Sequence, residues 1–165
     1  MKAMLFFCLL LFTGFTEAQS LFPDKCIGRW EGMMHIAKNG VVRDSVAVLL
    51  TVAIHRDAGA WSWKMEYLSE KMPATKDYVL RLKDAGKNWY ITDEGDGIEL
   101  NDYVFGNKMY CVFETEGFLL TSSYELRADE LIFEVSSGKK MAGKSNSLTN
   151  FSVDNLQRVV FKRKN

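Results

Sequence analysis

The densest run of oxygen ligands in the chain is Asp93-Glu94-Gly95-Asp96-Gly97. Carboxylates interleaved with glycines could serve a calcium loop, but the alternating donors and the distal Glu of a calcium hand are absent. Asp-Gly is also the ordinary pair of a two-residue hairpin, and the run reads as a solvated turn. His35 and His55 each fall near a strand end, where an imidazole could ligate a metal or shuttle a proton. No third ligand can be named for either, so both read as surface or turn histidines and no metal is expected. Glu99 and Asp102 share one expected strand, but their odd spacing puts them on opposite faces, a poor arrangement for paired acid/base work. No Ser/His/Asp grouping, Cys-x-x-Cys pair, phosphate-binding Gly-Lys loop or His-Glu-x-x-His occurs, and no catalytic residue is expected.

The aromatic residues are more informative, making up 13% of the chain. Trp61, Trp63, Met65 and Tyr67 fall on one face of a strand while Ser62, Lys64 and Glu66 fall on the other, the clearest alternation in the sequence. Tyr78 and Tyr124 alternate with leucines and share that apolar parity. Each ring taken singly reads as core filling, but the set reads as the wall of a cavity for one small ligand. Trp61, Trp63, Met65, Tyr67, Tyr78 and Tyr124 are therefore the expected ligand-binding residues. The two tyrosine hydroxyls would need partners inside, such as a ligand, Ser122 or ordered water. Beyond the N-terminal leader two cysteines remain, Cys26 and Cys111. They could form one disulfide tying the first strand to the middle of the sheet, or stay as two buried thiols, and both readings stand open.

The elements that must position these residues are strands. From Gly28 onward the apolar pattern has period two, interrupted by turn signals about every ten residues, the mark of a sandwich or barrel. Trp30, Gly32, Met34 and Ile36 share one face of the first strand, and Asn39-Gly40 ends it. Further strands are expected over 45–55, 61–67, 78–83, 88–93, 98–105, 108–114, 118–127, 130–136 and 158–164. The connections are too short for parallel crossovers, so the sheet is an antiparallel meander. The polar run 137–150 reads as irregular, with a short helical turn expected over 152–156. Asn150-Phe151-Ser152 could accept a glycan in a eukaryotic secretory pathway.

A first strand opening Gly28-Arg29-Trp30, with a last strand carrying Arg158, Lys162 and Arg163, resembles the calycin superfamily of lipocalin-like and fatty-acid-binding barrels. The resemblance implies an all-β, single antiparallel barrel of about ten strands. It also implies that Trp30 plugs one end while a base of the last strand, here assigned to Arg158, packs across the indole to close the floor. A cation over an indole face contributes about 1 kcal/mol, and closure removes exposed sheet edges. Gly28, Trp30 and Gly32 further resemble the ten-stranded nitrobindin-like branch, which holds haem through a histidine late in the chain. No late histidine exists here, so haem is not expected, nor any other cofactor.

Bulk properties bound the rest. The 165 residues carry 21 Lys+Arg against 21 Asp+Glu, so no basic excess points to nucleic acid. One domain is expected, over 19–165. Met1-Lys2-Ala3, an apolar run over 4–12 and the small residues Thr16 and Ala18 have the layout of a secretory signal peptide over 1–18, cut before Gln19. The apolar run is shorter than the ~20 residues that a membrane helix needs. Three functions follow: a secreted or periplasmic protein binding a small apolar ligand inside a barrel, an interaction or inhibitor module with a filled interior, and an enzyme on the same scaffold. The loose candidates for an enzyme, Arg81 and Glu66, fall on expected outer faces.

Overall fold

The computed structural model describes residues 20–141 and 148–164; the expected leader lies outside the described residues. A single helical turn, α1 (Phe22–Cys26), precedes ten strands: β1 (Gly28–Lys38), β2 (Val41–Ile54), β3 (Ala60–Tyr67), β4 (Ala74–Asp84), β5 (Trp89–Gly95), β6 (Ile98–Phe105), β7 (Lys108–Thr115), β8 (Phe118–Arg127), β9 (Glu130–Met141) and β10 (Asn150–Lys164). Every strand pairs antiparallel with its sequence neighbours, and β10 returns to β1, so the sheet is a closed barrel. The fold is thus the expected ten-stranded meander. Every strand has a ladder partner on both sides, although β6 and β7 pair only over Asp102–Phe105 and Lys108–Cys111.

Because the strands simply alternate in direction, the chain separates the two ends of the barrel. One end, the floor, collects α1 and the connections after β2, β4, β6 and β8. The other, the mouth, collects those after β1, β3, β5, β7 and β9. Inward-facing residues form the core, with Trp30, Met34, Leu50, Tyr90, Leu131, Val159 and Phe161 among the most buried. The period of two in the sequence has its cause here: one face of each strand meets this core and the other meets water.

The floor explains the glycines around Trp30. Gly28 has φ of 140°, and a Cβ there would sit 2.7 Å from Arg163 Nη1. A Cβ at Gly32 would lie 2.7 Å from the Val160 carbonyl oxygen, so only glycine lets β1 and β10 cross this closely. Arg163 is the cation over Trp30, its Cζ 4.1 Å from the ring centroid. The assignment of Arg158 to that place is corrected: Arg158 pairs across the barrel's outer surface with Glu134 at 3.5 Å. The reason is parity and height. Trp30 lies opposite Arg163 in the β1–β10 register, whereas Arg158 lies opposite His35.

Two further expectations change, and the hairpin expected at Asp93 to Gly97 stands. The chain continues as strand through 137–141, and 150–164 is one strand, so the helical turn over 152–156 is not formed. Instead, a register shift between Val153 and Asn155 absorbs the irregularity as a bulge. The helix that does form, α1, has Pro23 in its first turn, where a missing N–H costs nothing. Asp93 to Gly97 is a hairpin, with Asp96 at φ 53° and Gly97 at φ 81°, the left-handed pair of a type I′ turn.

Candidate functional site

Inside the barrel lies a cavity of about 380 Å³. The strands supply its wall in two horizontal rows set by register. The deeper row runs Met109, Tyr124, Phe133 across β7 to β9, each paired with the next, and Val104 of β6 continues it in register outside the lining. The row above it runs Asp102, Cys111, Ser122, Val135, Gln157 from β6 to β10, again in direct register. A shift of two residues along β6 or β8 therefore changes the wall from apolar to polar, from Val104 to Asp102 and from Tyr124 to Ser122, whereas β9 stays apolar from Phe133 to Val135. On the other side, Trp63, Met65, Tyr67, Tyr78 and Leu80 from β3 and β4 complete the enclosure.

Trp63, Met65, Tyr67, Tyr78 and Tyr124 all line this cavity. Trp63 meets Tyr124 edge to face, centroids 5.0 Å apart and planes at 77°. Tyr124 in turn stacks on Phe133 at 4.4 Å, so three rings cross the interior between β3 and β9 and form the cavity's base. Trp61, on the same face two residues toward the floor, is buried but not part of the lining. Its Nε1 donates to Asp24 Oδ1 of α1 at 2.9 Å, and its ring approaches Tyr90 at 6.2 Å. It belongs to the plug. Trp30 is there too, donating from Nε1 to the Cys26 carbonyl at 2.8 Å, and Arg163 donates to the carbonyls of Lys25 and Ile27. One short helix is thus held by two indoles and a guanidinium, and it shuts the lower end.

Sequence reading missed the polar residues. Asp102 was legible only as a poor partner for Glu99, and indeed the two face opposite ways: Glu99 is exposed while Asp102 is 4% exposed. Leu100, Asp102 and Val104 alternate on one parity, which was the available signal. Asp102 Oδ2 accepts a hydrogen bond from Thr92 Oγ1 at 2.8 Å. Burial pushes its carboxyl up to about 6, with the charge of Glu94 adding to the rise and the Thr92 hydrogen bonds opposing it. Thr92, Glu94, Cys111 and Gln157 also line the cavity.

Ionisation is disfavoured throughout this interior. Burial, then the charge of Asp102, raises the Cys111 thiol to about 12, against a hydrogen bond from Ser122. The Tyr78 hydroxyl is raised by burial and by the neighbouring Glu94 carboxylate, and that of Tyr124 well above the usual phenol value by burial. The Trp63 N–H lies near enough to ease Tyr124 ionisation, yet the alignment of a hydrogen bond is not met, and Trp63 Nε1 is left without a partner.

Cys26 and Cys111 are both free and buried, one in the plug and one in the cavity wall. Of the two readings left open, the described structure has the pair of thiols and no disulfide. His35 bonds Ser45 Oγ at 2.9 Å on the outer surface, and His55 sits 3.4 Å from Asp57; neither lines the cavity. Arg81 and Glu66 face outward in ion pairs with Asp93 and Lys64. No cluster of three metal-type ligands is found among the described residues. No helix among them is long and apolar enough to cross a membrane.

No family model and no curated protein matches this chain. Among solved structures, it resembles a protein of unknown function from the DUF3598 family of Nostoc punctiforme at TM-score 0.63 and 13% identity, covering 86% of this chain and 49% of that one. It therefore spans about half of the Nostoc protein's length. It also resembles Rv2717c from M. tuberculosis at TM-score 0.54 and 15% identity, covering 84% of this chain and 92% of that one. Identities this low speak to architecture alone. Together with the closed ten-stranded meander, they give this chain the calycin, lipocalin-like barrel fold.

Proposed function

We propose that this chain is an exported binding protein that holds one small, largely apolar molecule inside its barrel. The observation that carries the reading is the enclosed volume of about 380 Å³ walled by Trp63, Met65, Tyr67, Tyr78 and Tyr124. A cavity of that size, apolar with a few convergent polar groups, is the ordinary form of a small-molecule site. The plugged floor supports it too, since a ligand entering at the mouth meets a fixed base of stacked rings. The volume counts against the interaction module, which calls for a filled interior. Against an enzyme stands the state of the cavity's groups: the Cys111 thiol is held protonated, and no histidine lines the wall to activate a nucleophile. Export rests on the tripartite layout of residues 1–18.

Native mass spectrometry of the protein purified from its own source, compared with a denatured sample, tests both parts. A chain beginning at Gln19 with an added small mass that denaturation releases supports the reading. A bare chain that also fails to alter its Trp fluorescence with a panel of lipids and small aromatics moves the assignment to the interaction module. A mass that retains residues 1–18 removes the case for export.

A further inference from the structure

Building on the binding reading above, the polar row of the cavity narrows the chemistry of its occupant. Asp102 is the one buried charged side chain among the described residues. Thr92 is its only hydrogen-bonding partner among the described residues. It takes part in none of the described ion pairs, all of which involve groups on the outer surface or at turns. Thr92 and Glu94 from β5, Cys111 from β7 and Tyr124 from β8 lie near it, and Trp63, Tyr67 and Tyr78 line the same cavity. None of them carries positive charge. Among the described residues the one cation in the lining is Lys76, exposed near the mouth. A carboxyl so placed is costly to ionise, and removing water from it without a counter-charge is what proteins ordinarily avoid.

We propose that Asp102 is the specificity-determining residue of the cavity, and that the ligand is a small apolar molecule carrying a protonated nitrogen that pairs with it. Three observations converge. Asp102 and Glu94 give the interior a negative potential that attracts an ammonium or protonated heteroarene. No arginine lines the cavity to receive a carboxylate. An anionic head group would face the same penalty that raises Cys111, Tyr78 and Tyr124. The aromatic faces of Trp63, Tyr67 and Tyr78 suit a cation as well, since a ring face attracts positive charge. Trp63 lines the cavity and its buried N–H has no partner, so an acceptor atom on the same molecule would satisfy it. That leaves the apolar body of the ligand against Met65, Leu80 and Phe133.

Isothermal titration calorimetry with three probes of matched shape tests this: phenethylamine, phenethyl alcohol and phenylacetate, near neutral pH. The expected order is amine, then alcohol, then carboxylate, with the amine preferred over the carboxylate by about tenfold or more, as hydrogen bonds to a buried charge imply. In Asp102→Asn, which keeps the shape and can still accept from Thr92, the amine-to-alcohol ratio falls toward one. Glu94→Gln lowers the ratio less, because Glu94 is only half-buried and nearer the mouth end of β5; it also provides a variant in which Asp102 is untouched. A thermal melt confirms that each variant is folded before its ratio is read. Binding of the alcohol with no advantage for the amine, or a preference that survives Asp102→Asn, overturns the role of Asp102 and leaves the cavity reading standing. Failure of all three probes overturns both.

Discussion

At the scale of single residues, the cost of Asp102 is itself measurable. Its carboxyl stands at about 6 in the folded chain, against about 3.9 when unfolded. The folded state therefore binds more protons between those values, so stability falls as pH rises from about 4 to 6 and the penalty is complete above that. Asp102→Asn removes the charge, and we expect it to raise the stability of the empty protein by on the order of 2 kcal/mol at pH 8 and to change little at pH 4. Urea unfolding at the two pH values checks this; equal effects at both would mean that the carboxyl is not the source. A second residue-scale prediction separates the two arginines of β10. Arg163→Ala loses the contact with Trp30 and the hydrogen bonds to the Lys25 and Ile27 carbonyls, at about 1–2 kcal/mol. Arg158→Ala loses a surface ion pair and costs less than about 0.5 kcal/mol. The reverse order would return the floor to Arg158. The sequence made the aromatic wall legible because large apolar side chains at period two have one place to go. It did not make Asp102 legible, since a lone carboxylate at an apolar parity is usually an exception with no visible partner. Nor could it choose among Arg158, Lys162 and Arg163 on β10, because that choice depends on the β1–β10 register.

Strands were legible where alternation is strong and turns are marked, as in β3, β6 and β8, whose limits the sequence anticipates to within a residue or two. The failures lie where polar composition disguises pairing. The end of β9, Ser137 to Met141, has little apolar content, yet its backbone is held by β8 and β10, and tertiary pairing overrides local propensity there. The same holds for the start of β10. α1 was missed because a five-residue helix has too few turns to show periodicity, and its stability comes from Trp30, Trp61 and Arg163 rather than from its own sequence. Two element-scale tests follow. Phe22→Ala removes a buried ring from the plug and should cost about 3 kcal/mol, with hydrogen exchange increasing at the floor first; uniform exchange changes would argue against a locally attached plug. Gly32→Ala places a methyl against the Val160 carbonyl and Val159 and should cost about 2 kcal/mol or more through strain between β1 and β10. A neutral Gly32→Ala in a thermal melt would show that the two strands can move apart freely.

For the molecule as a whole, closure is the organising fact. A sheet joined β1 to β10 protects its edges, and a barrel stopped at one end by α1 has a single open end through which a ligand can reach the rings at its base. Methionines report on this directly, because Met65 and Met109 line the cavity whereas Met33 is exposed on β1, and Met72 and Met141 are exposed at the mouth end. With methyl-13C methionine, the chain can be titrated with a small neutral aromatic such as phenethyl alcohol and followed by NMR. Binding in the barrel predicts saturable shifts of the Met65 and Met109 methyls at one probe per chain, with Met33 unmoved and any change at Met72 or Met141 smaller than theirs. Shifts confined to the exposed methionines, or none at all up to the solubility limit of the probe, would contradict a ligand-binding cavity.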